Sequence, residues 1–253
     1  MSGAFIGLMG FAGLFGMMAM GVPVGLALLV AGIAGTIAMT GWSAAAYTLS
    51  GQAFATASYY ELSVLPLFIL MGNLASASGL SRDLYEVAHR WIGHLRGGLA
   101  GATVLGCAGF AALSGSSIAS AVTMGRVAYP NMRRFGYGER LSTGTIAAGG
   151  TLGILIPPSI NLILYGWLTN TSVPSLYMAG FIPGFILAGL FSLTIMMLCL
   201  FRPSLGGISV SASWTARFRS LSGSLPPLFI FVVVIGSIYA GIATPTESAA
   251  LGV

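Results

Sequence analysis

The sequence has very little charge, and this excludes several classes of protein. It contains no lysine, ten arginines and five acidic residues, so 6% of the chain is charged, against about a quarter in soluble domains. A typical soluble enzyme is therefore excluded. The net charge of +5 does not indicate nucleic-acid binding, because there is no polar surface to carry a basic patch. The two cysteines have no metal or redox spacing, which excludes a disulfide framework or a zinc site.

Long apolar runs fill most of the remaining sequence. A membrane-spanning helix needs about 20 mostly apolar residues. Such runs predict an all-α polytopic membrane protein in a lipid bilayer, with spans at 3–20, 23–39, 62–77, 141–168, 176–201 and 225–240. The stretch 42–60 is more polar and carries Trp and Tyr, which predicts an arm helix lying at the membrane interface. A polar span packed inside a helix bundle is the alternative.

The arginines are confined to three polar segments, at residues 82–96, 126–140 and 202–219. Cytoplasmic loops are enriched in basic residues, so these three segments are predicted to be cytoplasmic. Three spans precede the first arginine segment, which places the N-terminus outside. A capped amphipathic connector beginning at Ser81 is predicted along the inner face.

The segment 97–125 has arginines on both sides but is too short to cross the membrane twice, which needs about 40 residues. It therefore predicts a re-entrant helical hairpin that reaches roughly half-way. Its middle has the composition of a turn and an N-cap, and non-helical backbone at membrane depth must be buried or line a cavity. The candidate site residues here are Ser114, Gly115, Ser116 and Ser117. One long tilted span with a small-residue packing face is the alternative.

The span at 141–168 contains a second break. Pro157 and Pro158 donate no backbone N–H and clash with the preceding turn, so two half-helices with an unwound link are predicted. The candidate site residues here are Gly149, Gly150, Thr151, Pro157, Pro158, Ser159 and Asn161. A structural kink satisfied by neighbouring side chains is the alternative.

Discontinuous helices at the membrane midplane are typical of secondary transporters. Half-helix N-termini suit a carboxylate, and unwound carbonyls suit a small cation. No acidic residue occurs in either candidate set, which favours Na⁺ over a divalent ion or a proton relay. An intramembrane hydrolase is not expected, because both histidines lie in a charged segment. A channel or a membrane scaffold remains the alternative.

Two segments show a weak internal repeat. Residues 62–70 resemble residues 221–231, and the predicted topology runs them in opposite directions. Inverted repeats are common in transporter folds. The match is short and apolar, so chance similarity is the alternative.

Several blocks together resemble the large membrane subunit of TRAP transporters, the DctM-like family. They are residues 115–119, 130–137, 147–160, 164–166, 179–184 and 241–247. The Gly-Gly-Thr-Leu-Gly run that begins at Gly149, followed by Pro-Pro-Ser, is the most specific of them. The resemblance covers essentially the whole chain.

The resemblance implies a Na⁺-coupled tripartite system of the bacterial inner membrane, with no enzyme activity and no cofactor. Its partners would be a periplasmic substrate-binding protein and a small four-span membrane subunit. Its substrate would be an organic acid such as a C4-dicarboxylate or sialic acid, and its N-terminus would be periplasmic. The fold would be an elevator-type secondary transporter in which a scaffold holds a mobile domain. The two candidate sets would then form one Na⁺ site and part of the substrate site.

On this basis the chain is divided into six predicted regions. They are scaffold spans and arm helix (1–61), span and connector (62–96), hairpin (97–125), cytoplasmic loop and broken helix (126–168), scaffold span and loop (169–220), and the start of the second repeat (221–253). Large subunits of this family are considerably longer, and the second hairpin, its broken helix and the second Na⁺ site that the resemblance implies are missing from this sequence. A fragment of a longer protein and a truncated gene product are the alternatives. Arg126 departs from the small residue expected there, and it either pairs with a substrate carboxylate or extends to the interface.

Overall fold

The computed structural model describes residues 3–209 and 211–253, without the side chains at 52, 53, 57 and 61. All regular elements in these ranges are helical, and no strand occurs among them. This confirms the all-α fold class. The chain forms two compact units, Met1–Leu62 and Ser63–Val253.

The first unit contains three helices, α1 (Gly3–Ala19), α2 (Val24–Thr40) and α3 (Trp42–Ala57). Helices α1 and α2 pack against each other, and both coincide with predicted spans. Gly41 has a φ of 87° and ends α2 directly before α3 begins, a conformation that glycine adopts without strain. The stretch predicted as an arm is thus helical, and its place at the interface stays a prediction.

The second unit begins with the connected helices α4 and α5, and it contains ten α-helices in all within the described ranges. They are α4 (Val64–Ala77), α5 (Leu80–Ile92), α6 (Gly98–Ser114), α7 (Ser117–Arg134), α8 (Glu139–Gly150), α9 (Ile160–Thr169), α10 (Val173–Phe201), α11 (Trp214–Ser220), α12 (Leu225–Tyr239) and α13 (Pro245–Gly252). Single 3₁₀ segments lie at Tyr60–Ser63, Thr151–Ile154, Pro203–Leu205 and Leu221–Ser224.

Two described helices are long and apolar enough to cross a membrane. One is α10, with 29 residues, and the other is the 26-residue stretch Trp214–Tyr239, in which a 3₁₀ turn joins α11 to α12. Helices α4 and α5 satisfy the same test as a pair that is bent by 63°. Helices α1, α2, α6 and α9 are apolar but shorter.

Helix α6 lies at the centre of the second unit. Nearly all of its residues are buried, and it packs against α4, α5, α7, α8 and α10. Its glycines permit this close packing, because a side chain at these positions would crowd the neighbouring helices. A Cβ atom added to Gly106 would lie 3.3 Å from Met124 Sδ, and one added to Gly101 would lie 3.2 Å from Ile92. The core around it includes the buried side chains of Tyr85 and Phe110.

Two helices form a hairpin at the predicted segment, and its second arm is longer than predicted. The re-entrant course of this hairpin in a membrane stays a prediction. Helix α7 continues past residue 125 to Arg134, so residues 126–134 are helical and do not belong to a loop. The arginines in this stretch are good helix formers, and their charge was the reason for predicting a loop. The two arms have 17 and 18 residues, or roughly 25 Å each at ~1.5 Å per residue, which exceeds half the hydrocarbon thickness.

The start of the connector also differs from the prediction. Gly79, with a φ of 87°, occupies the N-cap position of α5, and no side chain caps this helix. Ser81 is buried in the first turn and is 3% exposed. The left-handed glycine allows the 63° bend between α4 and α5, which a serine cap would not provide.

The two segments of the proposed repeat begin in the same way. A 3₁₀ turn leads directly into α4 and another leads directly into α12, and each helix has proline in its first turn. Each helix is also followed by a glycine in the left-handed region, Gly79 after α4 and Gly241 after α12. These common features support the repeat, whose inverted orientation in a membrane stays a prediction.

Candidate functional site

The tip of the hairpin is a two-residue link between helices. Gly115, with a φ of 59°, ends α6, and its amide donates to Ala111 O. Ser116 is extended and caps α7, where its Oγ accepts a hydrogen bond from the amide of Ala119 at 3.3 Å. Ser114 Oγ lies 3.2 Å from Ser120 Oγ, so this buried hydroxyl is paired inside the hairpin. Ser117 Oγ is buried and has no hydrogen-bond partner among the described residues.

The second break interrupts the helical path between α8 and α9. Helix α8 ends at Gly150, the chain tightens into a 3₁₀ turn at Thr151–Ile154, and a non-helical segment follows that contains the cis Pro157–Pro158 bond. The Ser159 hydroxyl donates to Ile154 O at 2.7 Å and so satisfies a carbonyl that the break has freed. This segment is buried, which removes it from lipid.

The two breaks meet. The amide of Ile160, the first residue of α9, donates to Gly115 O at 3.1 Å. A Cβ on Gly115 would lie 2.8 Å from Pro158 O, and one on Gly153 would lie 2.8 Å from the amide nitrogen of Ser117. We call this contact between residues 114–117 and 150–160 the junction. The junction depends on glycine, because any side chain at these two positions would force the breaks apart.

Helix α4 closes a third side of the junction. A Cβ on Gly72 would lie 3.0 Å from Ser114 Cα, so α4 touches the hairpin tip with its backbone. The hydroxyls of Ser76 and Thr123 lie 3.2 Å apart and join α4 to α7 one turn further along.

Most of the residues predicted from sequence lie at the junction, and three do not contribute a side chain to it. Asn161 is exposed, and its side chain has no described partner. Gly149 packs against Cys107 of α6, with a Cβ position 2.9 Å from its Sγ. The exposed Thr151 hydroxyl donates to Ala148 O at 2.6 Å. The remaining predicted residues are in the tip or in the buried break: Ser114, Gly115, Ser116, Ser117, Gly150, Pro157, Pro158 and Ser159.

Gly153 and Ile160 of the junction, and Gly72 packed against it, were not among the predicted site residues. Gly153 belongs to the glycine-rich run before the prolines, which was the available sequence signal. A glycine is needed there because the hairpin tip packs directly against its backbone. Gly72 gave no signal beyond being a glycine in an apolar span, and only the packing of α4 on Ser114 reveals it.

The electrostatics of the junction come from the backbone. Helices α7 and α9 both begin beside Gly115, so two N-termini with partial positive charge converge there. The amides of Ile160 and Ala119 are already hydrogen-bonded, to Gly115 O and to Ser116 Oγ. The C-terminus of α6 and the 3₁₀ turn contribute carbonyls with the opposite sign. No acidic residue occurs between Glu86 and Glu139, and the described residues contain no group of three His, Cys, Asp or Glu that could hold a metal. Arg126 is exposed on α7, about 13 Å along the helix from Ser117.

Comparison with known proteins identifies the family. Residues 11–253 match the family described as the DctM component of the tripartite ATP-independent periplasmic transporter. The chain belongs to this family. The family resemblance inferred from the junction motifs is therefore confirmed, and with it the membrane nature of the protein.

Three relatives illustrate the range of the family. The C4-dicarboxylate TRAP transporter large permease protein of Pseudomonas aeruginosa is 39% identical over 81% of this chain and 47% of its own length. The ectoine permease of Halomonas elongata is 34% identical over 94% of this chain and 56% of its own length. The sialic acid permease of Vibrio cholerae is 31% identical over 94% of this chain and 55% of its own length. The chain thus spans about half the length of these relatives.

Proposed function

We propose that this chain is part of the large membrane subunit of a Na⁺-coupled tripartite transporter that takes up organic acids across a bacterial inner membrane. The observation that carries the proposal is the junction itself, where a hairpin tip and a broken helix meet through Gly115 and Ile160. A transporter needs a polar site at membrane depth, and discontinuous helices supply one without charged side chains.

The substrate carboxylate would bind at the converging N-termini of α7 and α9. Their first amides have no intrahelical partners, and the partial positive charge of both helix ends favours an anion. The three relatives named for C4-dicarboxylate, ectoine and sialic acid all have substrates with a carboxylate group. A shared backbone site for the carboxylate would leave the rest of the substrate to be selected elsewhere.

The coupling ion would be Na⁺, held by backbone carbonyls and hydroxyls. The C-terminus of α6 offers carbonyls and ends three residues before Ser117. The hydroxyl of Ser117 is buried and has no partner among the described residues. A monovalent cation suits such neutral oxygen ligands, whereas a divalent ion needs more negative charge. A proton relay would need an acidic side chain, and the stretch between Glu86 and Glu139 has none.

The partners would be a periplasmic substrate-binding protein and a small four-span membrane subunit. The family description supports two further components, because it names a tripartite periplasmic transporter. The N-terminus would be periplasmic, because the arginine segments would lie in the cytoplasm. In an elevator-type mechanism, the junction would move as one body, since its parts are joined by hydrogen bonds and glycine contacts.

Uptake by the full-length subunit, reconstituted in proteoliposomes with both partners, tests the coupling. An inward Na⁺ gradient should drive saturable accumulation of the organic acid, and replacing Na⁺ by K⁺ should abolish it. Equal accumulation in K⁺ would reject Na⁺ coupling. Flux that only equilibrates the substrate would indicate a channel, and no flux with any partner set would indicate a scaffold.

Changing Ser117 to Leu tests the location of the site. The bulkier side chain would fill the buried space around the Ser117 hydroxyl, so uptake should fall to background while membrane expression stays normal. Changing the exposed Thr143 to Leu is the matched control and should leave uptake unchanged. Normal uptake by the Ser117 variant would place the site elsewhere.

A further inference from the structure

The strongest feature outside the junction is a buried arginine with no counter-charge. Arg217, on the short helix α11, is only 9% exposed. Burying a guanidinium is costly unless acceptors or an anion compensate its charge. Among the described residues, no carboxylate lies within ion-pair distance of Arg217; the ion pair found there joins Arg90 to Glu86 at 3.4 Å.

The contacts that Arg217 does make leave donors unused. One terminal nitrogen lies 3.2 Å from Nδ1 of His94, and the guanidinium carbon lies 4.8 Å from the centre of the Trp214 ring. Its Nε has no acceptor among the described residues, and the same is true of the nearby indole N–H of Trp91. Trp91 reaches this helix through an edge-to-face contact with Phe218 at 5.9 Å.

The neighbouring charges do not neutralise this face. Glu86 on α5 is already engaged by Arg90, which also donates to Ala216 O at 3.5 Å. Asp83, near the start of α5, packs beside Gly223 in the turn after α11, and it forms no ion pair with Arg217. Arg219 adds a further exposed positive charge on α11. The face between α5 and α11 is therefore positive around a buried guanidinium.

The position of α11 indicates which anion fits. It forms the arginine-rich end of the 26-residue stretch Trp214–Tyr239, which is long enough and apolar enough to cross a membrane. In such a span α11 would lie at the level of the headgroups. Trp214 and Phe218 are 66% and 61% exposed, and aromatic side chains are favoured at that level. A lipid offers a phosphate for the guanidinium and acyl chains for these rings, whereas free phosphate offers only the first.

We propose that the face between α5 and α11 binds the phosphate of an anionic phospholipid headgroup, with Arg217 as its main contact. Arginine matches phosphate geometry through its forked donors, and basic sites at the cytoplasmic end of spans bind anionic lipid headgroups. The bound lipid would fix α11 against α5 and so hold the start of α12. This site is separate from the junction and does not depend on the transported substrate.

Thermal unfolding of the full-length permease in detergent tests the proposal. Phosphatidylglycerol should raise the midpoint by several degrees more than phosphatidylcholine does, and Arg217→Gln should remove that difference. Arg140→Gln, which removes an exposed arginine from α8, is the matched control and should keep it. An equal phosphatidylglycerol effect in both variants would overturn the proposal. If inorganic phosphate alone raised the midpoint as much as phosphatidylglycerol does, a lipid would be rejected as the occupant of this site.

A second measurement does not require the Arg217 variant to fold. Brominated phosphatidylglycerol should quench tryptophan fluorescence of the unaltered permease more than brominated phosphatidylcholine does, because Trp214 borders the site. Trp214→Phe should abolish most of that difference. Equal quenching by the two lipids would contradict a site selective for anionic headgroups.

Discussion

At the scale of single residues, glycine decides whether the two breaks can touch. Gly115 has a left-handed φ of 59°, and a Cβ there would meet Pro158 O. We expect Gly115→Ala to destabilise the protein by at least about 1 kcal/mol from backbone strain alone and to abolish uptake, because Pro158 must shift. Gly125→Ala is the control, since a Cβ there meets nothing within 4 Å. Both variants are measured by thermal unfolding and by uptake. Equal stability and equal uptake of the two variants would contradict a tight contact between Gly115 and Pro158.

The hydroxyl of Ser159 has a role that an ordinary helical hydroxyl lacks. It donates to Ile154 O at 2.7 Å, where the break has removed the helical partner. Ser159→Ala should therefore cost about 1–3 kcal/mol, the penalty of an unsatisfied buried group. Thr194 makes a bond of the same 2.7 Å length to Leu190 O inside the regular helix α10, where the carbonyl keeps its backbone donor. Thr194→Val should cost little, and similar losses in both variants would refute this distinction.

At the scale of elements, the sequence predicted what depends on local pattern. The apolar runs correctly predicted α1, α2, α10 and α12. The Ser-Gly-Ser-Ser turn predicted the position of the first break, and the two prolines predicted that of the second. The length of α7 was missed, because clustered arginines indicate a loop as readily as a polar helix end. The family resemblance implied that the two breaks come together. The atoms that touch could not be predicted from local pattern, because they depend on packing between residues far apart in sequence, such as Gly115 with Pro158.

Helix α13 begins with a capping box that should respond to pH. The Thr244 amide and hydroxyl donate to Glu247 at 2.7 and 2.8 Å, and these hydrogen bonds hold the pKa of that carboxyl below its ordinary value. The lowered pKa adds stability that is present above the unfolded value of about 4.3 and is lost as pH falls through the folded value. Protection factors from hydrogen exchange in α13 should therefore decrease on acidification across this range.

Two variants separate this cap from a general acid effect. Glu247→Gln keeps an acceptor for the cap but cannot titrate, so the pH dependence of protection in α13 should disappear. Glu139→Gln removes an exposed carboxylate from the first turn of α8 and should leave that dependence intact. A pH dependence that persists in Glu247→Gln would show that another group causes it.

At the scale of the whole molecule, the second unit brings the functional features into one body. Its centre is the hairpin helix α6, against which α4, α8 and α10 pack, and the junction lies at the end of that helix. Sequence pattern located the hairpin and the broken helix, the family resemblance implied that they share one site, and the fold shows which residues join them. The start of the second repeat contains α12 and α13, which are joined to each other by the hydrogen bond between Ser237 and Ser248. Helix α13 packs on α4 of the first repeat, where Gly252 lies against Met71.

The central claim is that the junction binds the coupling ion, and alkylation of a cysteine beside the tip tests it most directly. Ala119→Cys in the full-length permease places a thiol next to the Ser116 cap without removing a polar group, and the two native cysteines are buried. Na⁺ should slow its alkylation several-fold relative to K⁺, whereas Thr143→Cys, at an exposed position on α8, should react equally in both salts. Equal rates for Ala119→Cys in Na⁺ and K⁺ would contradict the claim.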